Sequence, residues 1–470
     1  MKKKLILFAL LTCISIIGSA KIKLPEIISD NMVLQQKTNV KLWGKALPNA
    51  TVTIKTSWRK ETFKTRSSKT GNWIIKIPTP AATYRPQRIV FSDGWKTEIH
   101  NILIGEVWFC SGQSNMEMPL EGFMNCPIQG ANDEIANVSQ YKGIRCAVIQ
   151  HDSALTPCDE VAGKWMESTP ENAIKFSATA FYFAASVNKS LNIPIGIIDC
   201  SWGGSTIEGW LPKEILEGYK DIDLGKAGGK DCPAYLQPMI MYNGMLKPLE
   251  NYTIKGFLWY QGESNIGKHA TYADRMATMV KLWRDEWGQG ELTFYYVEIA
   301  PYEYGQGDWA AYLRESQYKA QALIPNSGMI STNDLVEPYE SHNIHPKNKK
   351  MVGKRLSYLA LKNVYGIKGI LDRGPEYKSM EIKDNKAIIR FDNVPDGFSR
   401  MDGLVGFEIA GDDKIFHLAK AKPCGVSQIE VSSDEVAQPI AVRYCFHNFE
   451  IGNVYNSREL PMVPFRTDNW

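Results

Sequence analysis

A chain of 470 residues is too long for one ordinary hydrophobic core, so two or three domains are expected. Its formal net charge of +3 is close to neutral and the basic residues are dispersed, which excludes a nucleic-acid-binding surface. The nine cysteines contain no Cys-x-x-Cys pair and no stapled spacing, which excludes a small disulfide-framework protein.

In chain order, Met1-Lys2-Lys3-Lys4, an apolar stretch from Leu5 to Ile17 and the small residues Gly18-Ser19-Ala20 read as a signal peptide over 1–20. The stretch is short for a membrane span. The mature protein is therefore expected to be exported, periplasmic or secreted, with no membrane segment left after cleavage. Cys13 leaves with the signal. Of the other eight cysteines, Cys110 and Cys200 lie in apolar runs and are expected as buried thiols, while Cys126, Cys146 and Cys158 could include one bridge.

Residues 21–103 show short alternating segments such as Thr51-Val52-Thr53-Ile54-Lys55, punctuated by turns, and predict an all-β sandwich. Over 104–366 continuous apolar runs alternate with helical stretches. Ile195 to Cys200 and Gly256 to Tyr260 read as strands, and Ala178 to Val187 and Thr271 to Val280 as helices. That texture predicts an α/β domain with a parallel sheet between helix layers. Alternation returns over 367–470, as in Ala387-Ile388-Ile389-Arg390-Phe391, and predicts a second, smaller β unit.

Open α/β sheets place their sites just beyond the carboxyl ends of the strands. Three turns qualify. Gly112-Gln113-Ser114-Asn115-Met116 ends an apolar run and puts a hydroxyl at the sheet rim, though Met116 breaks the Gly-x-Ser-x-Gly elbow pattern. Trp202-Gly203-Gly204-Ser205 offers backbone that can approach a substrate oxygen closely. Trp259-Tyr260-Gln261-Gly262-Glu263-Ser264-Asn265 offers a side-chain amide. Each is an ordinary turn when taken alone. A fourth block, His342-Asn343-Ile344-His345-Pro346-Lys347-Asn348-Lys349, holds two of only seven histidines, in a polar loop before a helix. Beside the serine, one of them could act as general base.

In this order the four blocks resemble the sialate O-acetylesterase family of SGNH/GDSL-type hydrolases. Ser29-Asp30-Asn31-Met32-Val33-Leu34-Gln35-Gln36 resembles the family's opening β unit, and Leu460 to Asp468 its closing segment. The resemblance implies an SGNH-type three-layer α/β/α hydrolase domain with all-β units on either side. It implies a secreted serine esterase that removes O-acetyl groups from sialic acid through an acetyl-serine intermediate, with no cofactor or metal. Ser114 would be the nucleophile and His345 the base. The backbone amides of Ser114 and Gly204, with the Gln261 side chain, would form the oxyanion hole.

One departure concerns the group that orients His345. The wider superfamily often has Asp three residues before the histidine, where this chain has His342. Close relatives often read Asp-Ile-His, where this chain has Asn343. Asp334 is the leading carboxylate, ahead of Glu337 and Glu340, and a backbone carbonyl near Asn343 is the alternative. Other readings are an esterase of acetylated xylan or pectin-type glycans and a glycan-binding protein without catalysis. A zinc hydrolase using His342 and His345 would lack a firm third ligand. Trp108, Trp202, Trp210 and Trp259 suit stacking on sugar rings or packing in the core. An acetylated sugar or glycan is the expected substrate.

Overall fold

A computed structural model describes residues 22–470; residues 1–20, expected as a signal peptide, and with them Cys13, lie outside the described residues. One strand organises the whole chain. Lys96–Gly112 begins with side chains alternating between exposed and buried, then becomes continuously buried from Ile102 to Gly112. Its first half closes the N-terminal β unit against Thr83–Ser92, and Val33–Gln35 joins it at Leu103 to Gly105. Its second half is the centre of a large, mainly parallel sheet. The boundary expected between 103 and 104 thus falls inside a single strand.

The sheet runs, edge to edge, Ser327–Ile330, Thr293–Val297, Gly256–Tyr260, Lys96–Gly112, Ile195–Ser201, Ile144–Val148 and Trp165–Glu167. All neighbours are parallel except the last pair, where Trp165–Glu167 lies antiparallel at the edge. Side chains alternate between two buried layers. Phe109, Phe257 and Phe294 face a core with Trp283 and Leu313, from the helices His269–Trp287 and Trp309–Leu323. Trp108, Leu258 and Tyr295 face a core with Phe183 and Leu356, from Ala178–Leu191 and Lys349–Asn363. This is the three-layer α/β/α arrangement, and with both faces covered the strands of the parallel core are buried almost throughout, the polar Arg145 and Asp199 included.

After residue 366 two four-stranded antiparallel sheets pack around Ile389, Phe407, Ile429 and Val442. This unit docks on the helix Trp309–Leu323: Asn448 Oδ1 accepts from Ala310 N at 3.0 Å, capping a helix start that its own sequence leaves uncapped. All eight described cysteines are free thiols, so the bridge considered among Cys126, Cys146 and Cys158 is not formed. Among the described residues no helix is long and apolar enough to cross a membrane.

Candidate active site

Register brings the site together. Gly112 pairs with Ser201 on one side and Tyr260 on the other, so three strands end level and their turns share one rim. Gly112 sits at φ +138, and a Cβ there would lie 2.1 Å from Tyr260 O, so only glycine lets the strands stay this close while the chain turns. Gln113 then locks the turn: its amide donates to Tyr260 O at 2.9 Å, and its Oε1 accepts from Gly262 N at 3.0 Å. Ser114 opens the one-turn helix Ser114–Glu117 at the sheet rim, partly exposed.

The fourth block comes from the loop between the strand Ser327–Ile330 and the helix Lys349–Asn363. Glu337 and Glu340 form a capping box inside it, and Glu340 Oε1 accepts from Lys347 N at 3.0 Å, so both carboxylates shape the loop. Asn115 Nδ2 donates to Ile344 O at 3.0 Å, tying the loop to the serine turn. The result places His345 Nε2 2.8 Å from Ser114 Oγ, a distance at which the imidazole can take the hydroxyl proton. His342, by contrast, is exposed.

Beneath the pair lies a buried chain of polar groups. Lys349 Nζ donates to Asn115 Oδ1 at 2.7 Å and Pro346 O at 2.8 Å, and Asn115 Nδ2 donates to Glu263 Oε1 at 2.5 Å. Burial lowers Lys349 to a pKa of about 7 and raises that of the Glu263 carboxyl. His345 is pushed down to about 4, first by burial and then by the Lys349 charge, against a smaller opposing effect of Glu117.

Three expected readings do not fit this geometry. Asp334 does not orient His345, because Arg355 Nη1 and Nη2 donate to its two oxygens at 2.7 and 2.6 Å in a buried pair. His345 Nδ1 instead faces Cys126 Sγ at 3.9 Å, and the ring edge packs on Phe123 with centroids 5.2 Å apart. Nor does a backbone carbonyl near Asn343 take that place: Asn343 Oδ1 accepts from His345 N at 3.0 Å and from the Cys126 thiol at 3.4 Å. Gln261 is fully buried and spent. Its Nε2 donates to Ser205 O at 3.0 Å and Asn265 Oδ1 at 2.7 Å, and its Oε1 accepts from Tyr272 OH at 2.8 Å. It braces two rim turns rather than facing a substrate oxygen.

The remaining oxyanion candidates keep their donors available. Among the described residues the amides of Ser114 and Gly204 meet no acceptor. Gly204 has φ +75, and a Cβ there would lie 2.7 Å from the ring of Tyr235, a partly exposed tyrosine above the glycine turn. Next to Glu117 and Phe123 opens a cleft of about 370 Å³, also lined by Glu121, His151, Lys175 and Asp199; Ser114 and His345 are not among its lining residues. Of the four tryptophans near the blocks, Trp108, Trp210 and Trp259 are wholly buried and only Trp202 reaches the surface. Sequence reasoning missed Cys126, Glu117 and His151. Glu117 stands three residues beyond Ser114 in the same block and could have been noticed, whereas nothing around Cys126 or His151 marks either.

The family model for sialic acid-specific acetylesterases, described as carbohydrate esterases, matches residues 104–362. A sialate O-acetylesterase of Homo sapiens is 29% identical over 400 residues, covering 77% of this chain and 75% of its own length. That of Mus musculus is 27% identical over 424 residues, covering 77% of each. The crystal structure of a carbohydrate acetylesterase from Xanthomonas citri superposes with a TM-score of 0.86 at 32% identity, covering 96% of this chain and 100% of that one.

Proposed function

The chain belongs to the sialic acid-specific acetylesterase family of carbohydrate esterases and is an esterase of acetylated sugars, and on that premise we propose that Ser114 is its nucleophile and His345 its general base. The 2.8 Å contact between Ser114 Oγ and His345 Nε2 carries the reading. His345, neutral at physiological pH, takes the Ser114 proton as Oγ attacks the acetyl carbonyl. The tetrahedral oxyanion is received by the amides of Ser114 and Gly204. It collapses to acetyl-Ser114, and the sugar oxygen leaves with the proton held by His345. Water then attacks the acetyl-enzyme with His345 again as base, releasing acetate and restoring the serine. With no carboxylate on Nδ1, the pair works as a dyad, and the Cys126 and Phe123 contacts hold the ring in place.

O-acetylated sialic acid is the first substrate, on the strength of the family and of what its curated relatives are called. A second reading is a neutral acetylated glycan: in the cleft next to Glu117 the side chains of Glu117 and Glu121 match those of His151 and Lys175, so no surplus of positive charge waits there for a sialate carboxylate. Residues 1–20 support an exported enzyme. Acetate release from O-acetylated sialic acid and from acetylated xylo-oligosaccharides, by wild type and Ser114→Ala, tests the proposal. Release from either substrate that vanishes in Ser114→Ala supports the mechanism, and their ratio decides the sugar. Release undiminished in Ser114→Ala would refute it.

A further inference from the structure

Glu117 lies at the far end of the one-turn helix that begins with Ser114, and its two oxygens have different partners. Oε2 accepts a hydrogen bond from the Gly203 amide, and Oε1 faces His151 Nε2 at 3.0 Å. The Glu117 side chain is 27% exposed and that of His151 40%, so the carboxylate is the more shielded half of the pair. His151 in turn lies flat on the Trp202 indole, with centroids 4.4 Å apart and planes 4° from parallel. The segment Trp202 to Gly204 is therefore gripped along its length. Trp202 N donates to Gly112 O at 3.1 Å, Trp202's ring carries His151, Gly203 N is held by Glu117, and Gly204 O accepts from Ser264 Oγ at 2.8 Å.

The peptide that joins Gly203 to Gly204 carries the Gly204 amide, one of the two oxyanion donors in the mechanism above. A peptide flanked by two glycines has little steric resistance to rotation. Rotation would swing that N–H away from the place where charge develops, and donors act only if aimed at that place before the reaction. Gly203 also packs closely on the nucleophile: a Cβ there would lie 3.4 Å from Ser114 Cβ and 2.8 Å from Glu117 Oε2. The carboxylate, the glycine turn and the serine thus form one contact.

We propose that Glu117, backed by His151, is a positioning residue: by holding the Gly203 amide it fixes the Trp202–Gly203 peptide, which together with Gly204 O held by Ser264 Oγ anchors both sides of the Gly203–Gly204 peptide and aims the Gly204 amide at the developing oxyanion. This rests on the esterase reading and adds a carboxylate that acts through the backbone, beyond its small charge effect on His345. It also accounts for a chain in which Gln261, spent on Ser205 and Asn265, leaves the oxyanion to backbone donors.

Steady-state kinetics on 4-nitrophenyl acetate and on an acetylated sugar, with thermal melts to verify folding, test it. Glu117→Ala should lower kcat about 10–100-fold with KM little changed, as expected when a reacting group is misplaced by about an ångström. Glu117→Gln keeps an acceptor for the Gly203 amide and should recover most of that loss. Gly203→Ala has no backbone conflict of its own but pushes the carboxylate aside, and should reproduce the fall in kcat with Glu117 still present. His151→Phe keeps the stack on Trp202 and loses the ion pair, so its loss should be smaller than that of Glu117→Ala. Wild-type kcat in both Glu117→Ala and Gly203→Ala would overturn the proposal, as would a pure KM effect. A Glu117→Gln variant as slow as Glu117→Ala would overturn it too, since charge rather than the hydrogen bond would then be what matters. Should Glu117→Ala fail to fold, Glu117→Gln and Gly203→Ala decide between these outcomes. Ser114→Ala run alongside separates the two levels: its activity tests the esterase reading, and theirs tests the role of Glu117.

Discussion

A serine is a poor nucleophile until its proton has somewhere to go, and here the acceptor is an imidazole kept neutral by its surroundings. Burial lowers the pKa of His345 to about 4 and the ammonium of Lys349 adds to the effect, so the free base is present at every pH well above 4. The acidic limb of kcat/KM should therefore fall near pH 4, with a plateau reached by about pH 6. Removing the positive charge favours the imidazolium, so Lys349→Met should move that limb upward, toward the ordinary histidine range. Because Lys349 also holds Asn115 and Pro346, the variant will be less stable, and the informative quantity is its own ratio of activity at about pH 5 to that at about pH 8. A ratio equal to or above that of wild type would contradict this account of His345. Ser114→Ala and His345→Ala should each lower turnover by several orders of magnitude, and the double variant little further, because nucleophile and base act as one unit.

Between strands and helices, the turns that carry the site were legible because each is a contiguous block at the end of an apolar run. The strand Gly256–Tyr260 has the bounds its composition predicts, whereas the helices run on past the expected stretches, one to Leu191 and the other from His269 to Trp287. What a side chain does once the turns meet was not legible, since that depends on residues distant in sequence. Gln261 reads as a donor at a strand end, yet Ser205, Asn265 and Tyr272 close around it. Gln261→Ala should accordingly show as lost stability, about 1–3 kcal/mol for each buried group left unpaired, before any change in the chemical step. Asp334 is the nearest Asp before His345 in sequence, but Arg355, 21 residues on, captures it from the helix Lys349–Asn363. Asp334→Asn leaves a buried guanidinium half-paired and should cost up to about 3–5 kcal/mol. Among correctly folded molecules the pH profile should keep its shape. Denaturant melts and a kcat/KM profile on the same sample check both halves, and a displaced profile at unchanged stability would return Asp334 to the catalytic pair.

For the whole molecule, the shift from alternating to continuous burial within Lys96–Gly112 means that the N-terminal unit and the catalytic sheet share a strand. The sequence texture changes near residue 104, but a change of texture does not reveal that the strand continues through it. At the other end the docking is electrostatic as well as apolar. His447 of the C-terminal unit places Nδ1 3.0 Å from Asp308, just before the helix Trp309–Leu323, and Nε2 2.8 Å from Glu408 of its own unit. Hydrogen bonds to these two carboxylates raise the His447 pKa to about 10 against the opposing effect of burial. Glu450 also faces the cluster, its own pKa raised to about 7 chiefly by burial, and the buried Arg314 reaches in to the backbone carbonyls of Cys445 and His447. The sign follows from linkage. The folded chain holds the His447 proton more tightly than the unfolded chain, whose histidine titrates near 6.5, so its stabilisation is full below about pH 6.5 and fades as pH rises through about 10. With the ring more than a third exposed, solvent screens part of the gain, and a fall in Tm of a few degrees is expected for His447→Gln. The gap in Tm between wild type and variant should be constant on the acid side, narrow above about pH 6.5 and close toward pH 10. A gap that widened with rising pH would mean that a neutral His447 joins the two units, and that the ion pairs contribute nothing to holding them together.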